Sequence, residues 1–212
     1  MLGEVNYFSQ QLNLPTPHPI QITDVRKSFI RPPKLGFGGM IETTNFAFGI
    51  YKEGKLWTVI NRNKHIERFD LYKEWAKTPS IIDTNRAHQL GTQWLSAVSV
   101  DVPALERKFK LNVGQAFFYD PPGSTNKTIL PIYDVKWGAE EYPAVHVKIL
   151  GTTKELMELT MNDLSFSRRT PLIVTNAAEL NSRPDPIPKT LSTSTNRLAR
   201  PPTKGKTSND SF

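Results

Sequence analysis

Four histidines offer the most versatile chemistry in this chain, and they are scattered: His18, His65, His88 and His146. No two of them stand four residues apart, so the paired helix ligands of a zinc protease are absent. "HIE" at His65–Glu67 has the H-x-E opening of a zinc deaminase, but the rest of that motif needs cysteine and the chain has none. The same absence removes disulfides, thiol nucleophiles and cysteine-ligated metal centres. There is no G-x-S-x-G elbow, no G-x-x-x-x-G-K-[ST] loop and no G-x-G-x-x-G. No cofactor and no metal site is therefore expected.

Carboxylate pairs are the next candidates for acid–base work. Glu140 and Glu141 stand in a turn before Tyr142-Pro143, where solvation is their ordinary state. Glu155 and Glu158 fall at odd spacing on a strand, which assigns them to opposite faces and separates them. His88 lies beside the apolar stripe of its helix, without a partner in the local pattern. The polar positions that alternation places together are Asp134, His146 and Lys148, opposite the apolar side of two successive strands. These three are the candidate catalytic residues.

Positioning them requires a sheet. "KTILPIYDVKW" sets Tyr133, Val135 and Trp137 on one side, with Asp134 and Lys136 on the other. "AVHVKIL" alternates Val145, Val147 and Ile149 against His146 and Lys148, and "ELMELTMND" puts Met157, Leu159 and Met161 inward. With "LNVGQAFFYD" before them, these runs predict an antiparallel β-meander with one wet face. Its cover is the preceding helix: Ala87, Leu90, Trp94 and Val98 recur at helical spacing, with Ser80, Asp83 and Asn85 as candidate caps. "DVPALERKF" restarts as a short helix with Pro103 in its first turn.

Upstream, "NFAFGIY" and "KLWTVIN" around "KEGK" predict a β-hairpin, with Phe46, Phe48 and Trp57 as core or as a stacking platform. Phe69, Tyr72 and Trp75 suggest a short helix ended by Pro79. Residues 1–44 read as an irregular lead-in with a short helix near Glu4–Leu12; "KLGFGGM" within it reads as a flexible loop.

The chain of 212 residues carries a net charge of +7. Residues 182–212 contribute +4 of it and hold five prolines and ten serines or threonines. That segment reads as a disordered basic tail, with "RPDPIPKT" and "ARPPTK" as polyproline candidates. The body is only mildly basic, which disfavours nucleic acid as a partner except through the tail. No run reaches the roughly 18 apolar residues of a membrane span, and no signal peptide is visible. The expectation is one α+β domain over 1–181: an antiparallel meander covered by one main amphipathic helix, plus a hairpin and a disordered C-terminal tail.

Two resemblances bear on this. The order helix, meander, tight glycine turn, last strand in "TNRAHQLGTQWLSAVSVDV…LPIYDVKWG…PAVHVKILGTTKELMELTMND" resembles a PepSY-type or cystatin-like unit over residues 80–163. "IETTNFAFG", "SIIDTNRAHQLGTQWL" and "ILGTTKELMEL" resemble an uncharacterised family of mostly exported bacterial proteins, over most of residues 5–180. The resemblance implies a periplasmic or secreted location if a leader precedes this chain; otherwise the expectation is cytoplasmic. Three functions follow: a non-enzymatic binding module for a protein or peptide, an enzyme with its site on the polar sheet face, and nucleic-acid binding through the tail.

Overall fold

The computed structural model describes residues 1–28, 38–51, 56–65, 69–120 and 123–169. The expected tail at 182–212, the "KEGK" turn and most of "HIE" lie outside them.

The chain runs helix-then-meander twice. Helix α1 (Leu2–Gln11) precedes strands β1 (Arg26–Ser28), β2 (Gly38–Glu42), β3 (Phe46–Tyr51) and β4 (Trp57–Asn61). Helix α2 (Phe69–Ala76) links to α3 (Thr84–Ala97) and α4 (Val102–Lys108), which precede β5 (Leu111–Tyr119), β6 (Lys127–Gly138), β7 (Pro143–Leu150) and β8 (Glu155–Met161). The last strands of the two runs pair antiparallel, joining them into one eight-stranded sheet of order β1-β2-β3-β4-β8-β7-β6-β5. The fold is α+β.

Period-two alternation sends Phe46, Phe48, Trp57, Val59, Val135, Trp137, Val145, Val147 and Leu159 to one face, all buried. Helices α1, α3 and α4 cover that face with Val5, Phe8, Ala87, Leu90, Leu95, Val98 and Leu105. Phe46, Phe48 and Trp57 are core, not a stacking platform. Asp83 caps α3 by accepting from the Arg86 amide at 2.7 Å, and Asp101 caps α4 through the Ala104 amide at 3.1 Å.

Three expectations are corrected. Residues 1–44 are not an irregular lead-in: they hold α1 and two strands of the sheet. The last three residues of "KLGFGGM", Gly38–Met40, open β2 because β3 supplies its hydrogen bonds, a non-local pairing that the glycines hid. The proline loop after α1 is fixed by side chains. Asn6 accepts from the Ile20 amide at 2.6 Å and donates to its carbonyl at 3.0 Å, and the Ser9 and Thr16 hydroxyls are bonded to each other. Second, Trp94 is only partly buried; Gly91 and Leu95 take the inward places, because Gly91 lets Trp137 approach to 3.5 Å of where a Cβ would stand. Third, Met157 does not face inward with Leu159. A bulge in the β7–β8 register pairs Lys148 with Glu158 but Ile149 with Leu156. The extra residue, Met157, packs with Leu130, Ile132 and Leu150 in a second cluster, on the opposite face.

That second cluster sits under Tyr72, Trp75 and Ala76 of α2. The far face of the sheet is therefore dry at the α2 end and polar beside it.

Candidate functional site

The polar part of the far face is built by register. Reading across β4, β8, β7, β6 and β5, one row is Thr58, Thr160, His146, Lys136, Asn112; the next is Ile60, Glu158, Lys148, Asp134, Gly114. Each of these positions alternates with a core residue, so burying the helix side obliges these side chains to point away from it. The three candidates Asp134, His146 and Lys148 are brought together.

Asp134 and His146 are diagonal neighbours, with Nε2 of His146 2.8 Å from Oδ1 of Asp134. An ionised carboxylate only accepts, so Nε2 is the donor. Burial alone would raise the pKa of Asp134. The hydrogen bond from His146 and the positive charges of Lys148, His146 and Lys136 outweigh it, holding the carboxyl below its ordinary 3.8. Lys148 lies between two carboxylates, its Nζ 3.9 Å from Asp134 Oδ1 and 3.9 Å from Glu158 Oε2. Thr160 Oγ1 is 3.0 Å from Glu158 Oε1 and 3.3 Å from the Thr58 hydroxyl.

The depressed Asp134 pKa carries a sign. Stability from a carboxylate with a lowered folded pKa is fully present above its unfolded value, near 3.9, and fades as pH falls through the folded value. Asp134→Asn should therefore lie below wild type in urea-unfolding free energy at pH 7. The gap should narrow as pH drops below about 4; a gap that is constant from pH 7 to pH 3 would contradict this.

What can this arrangement do? His146 bonded to Asp134 is the base-and-orienter half of a hydrolytic triad. The hydroxyl across from it, Thr160, has one proton, and its contacts are to Glu158 and Thr58. Among the described residues, no hydroxyl is hydrogen-bonded to the imidazole. Two cavities lie elsewhere among the described residues. One of about 30 Å³ is lined by Glu4, Tyr7, Phe8, Trp57, Leu164 and Arg169, room for about a water or two. The other, about 460 Å³ and open, is lined by Asp24, Arg26, Thr43, Thr44 and Arg62 among others. There Arg62 is paired with Glu42 at 3.2 Å, and Asp24 accepts from the Gln21 amide at 2.8 Å.

The other candidates stay apart. His88 has a partner that the local pattern could not reveal: Glu106 of α4, with Nε2 and Oε1 2.9 Å apart. His18 reaches only the Leu14 carbonyl, at 3.1 Å, and His65 is exposed. Glu140 and Glu141 are exposed. Glu155 and Glu158 pair with Leu150 and Lys148, which share a face, so the bulge cancels their odd spacing. Glu155 binds Thr153 and Lys64, however, away from Lys148. Among the described residues, no group of three or more His, Asp or Glu could hold a metal ion, and no helix is long and apolar enough to cross a membrane.

No protein-family model, curated protein or solved structure matches this chain. Its function is read from geometry.

Sequence reasoning considered Glu158 only as a partner for Glu155, and it missed Thr160 and Thr58; these three complete the network. Their placement depends on the β4–β8 junction and on the bulge, neither of which has a local signal. It also missed the exposed trio Phe117, Tyr119 and Ile129 at the outer end of β5 and β6.

Proposed function

We propose that this protein is a non-enzymatic binding module that takes a protein or peptide partner on the polar part of its far sheet face. The observation that carries this is the Lys148 ammonium, 3.9 Å from each of two carboxylates. That distance is beyond a hydrogen bond, so the cation is shared by Asp134 and Glu158 and committed to neither. A carboxylate on a partner can take it at small cost, and the Glu158–Lys148–Asp134 row of alternating charge then fixes register and excludes like-charged competitors. His146, held by Asp134, gives the surface a fixed polar anchor.

A second reading is favoured by the Asp134–His146 bond alone: a hydrolase whose nucleophile or water arrives with the substrate. The two readings separate by position and by turnover. A photoreactive side chain at Lys136, on the polar face, should cross-link a cellular partner, whereas the same group at Ser96, on the outside of α3, should not. Cross-linking from Ser96 and not from Lys136 contradicts the binding reading. Hydrolysis of ester or amide substrates, abolished in a folded His146→Ala variant, would replace it with the enzyme.

A further inference from the structure

The two edges of the sheet are built differently. One edge, β1, carries two basic residues, Arg26 and Lys27, among its three described positions. Charge is a usual guard against edge-to-edge association. The other edge, β5, is nine residues long, LNVGQAFFY, with no charge and no proline. Its register irregularity against β6 lies between Gln115 and Phe117, where β6 carries the extra residues: Gln115 pairs with Tyr133 but Phe117 with Ile129. The outer side of β5 thus keeps a regular strand.

The outer end of this edge is apolar and uncovered. Phe117 is 44% exposed, Tyr119 46% and the cross-strand Ile129 55%. The two rings pack edge to face at 5.4 Å, and the Lys127 ammonium stands 3.7 Å from the Phe117 ring centroid. By period two, Leu111, Val113, Gln115, Phe117 and Tyr119 share one side of the strand. Leu111 and Val113 are packed against the main core, whereas Phe117 and Tyr119 stand clear of it.

We propose that β5 pairs antiparallel with β5 of a second copy of this chain, about a two-fold axis through Gln115. The sequence is self-complementary in that register. Leu111 of one copy faces Tyr119 of the other, Val113 faces Phe117, and Gln115 faces itself. Each copy's bare aromatic end thereby meets the other's covered aliphatic end. Aromatic–aliphatic pairs of this kind stabilise a ladder, and no charge on either strand opposes it. The contact is isologous and closes at two subunits, with the guarded β1 edges left at the outside of a continuous sheet. One strand pair is a small interface, so the dimer should be of about micromolar affinity.

Sedimentation equilibrium of the full chain, from about 1 to about 200 µM, reads the result. The weight-average mass should climb from 24.0 kDa towards twice that value. Gln115 is exposed, so Gln115→Lys and Gln115→Glu leave the core untouched, which an unchanged thermal unfolding midpoint would verify. Each variant alone sets like charges face to face and should weaken dimerisation at least about tenfold. An equimolar mixture of the two should restore it. A monomer at every concentration overturns the proposal. So does a dimer indifferent to Gln115→Lys, or two monomeric variants whose mixture stays monomeric.

Discussion

Trp137→Ala should lower the free energy of unfolding by about 3–5 kcal/mol, the largest loss expected of any single side chain on the sheet. Trp137 is fully buried, near the C-terminal end of β6 on its helix-covered face, with Gly91 of α3 above it and His88 beside it. Its truncation leaves a void that neither the helix backbone nor the flanking Val135 and Val145 can fill. Trp94 is the contrasting case. It is only half-buried at the edge of the same layer, so Trp94→Ala should cost about 1–2 kcal/mol. Among the described residues the indole nitrogen of Trp137 has no hydrogen-bond partner, so Trp137→Phe forfeits volume without breaking a bond and should fall between the two. Urea titration of the three variants ranks them; Trp94→Ala as costly as Trp137→Ala would contradict this account of the helix face.

Gly151→Ala should cost about 3 kcal/mol, for the opposite reason. A methyl group there would collide with the Ser80 hydroxyl, lie 2.8 Å from the Tyr133 ring and 3.1 Å from the Pro131 carbonyl oxygen. None of the three can yield easily. The Gly151 amide donates to that same Pro131 carbonyl at 2.7 Å, the Ile81 amide donates to the Gly151 carbonyl at 3.1 Å, and the Tyr133 hydroxyl donates to the Ile82 carbonyl at 2.6 Å. This is where the approach to α3 crosses the end of β7 beside the middle of β6, so displacement here shifts the helix that covers the core. Gly114→Ala is the control: nothing lies within 4 Å of the added methyl, and the change should be near neutral. Equal effects at the two glycines would refute the crowding explanation.

The parts of this fold visible in the sequence are those that repeat at short range. Alternation in 127–161 gave three strands and placed Asp134, His146 and Lys148 on one face, and the 3.6-residue period of 84–97 gave their covering helix. What escaped was set by distant partners. β2 exists because β3 offers it a ladder, through a glycine-rich stretch that alone suggests a loop, and β1 in turn pairs with β2. Met157 changed face because one residue was added to β8, which no periodicity announces. His88 gained Glu106 only when α4 folded back on α3. The site was legible to the extent that three of its side chains alternate locally; Glu158, Thr160 and Thr58 joined it through the β7–β8 bulge and the β4–β8 seam.

The central claim is that Lys148 and its neighbours recognise a partner rather than catalyse a reaction. The direct measurement is the affinity of the partner cross-linked from Lys136, by calorimetry, for wild type, Lys148→Glu and His146→Ala at two salt concentrations. Reversing the shared cation should weaken binding about tenfold or more, with a shallower salt dependence, and neither variant should change the state of the partner chemically. Affinity unaltered by Lys148→Glu, together with a covalent change in the partner that vanishes in His146→Ala, would contradict it.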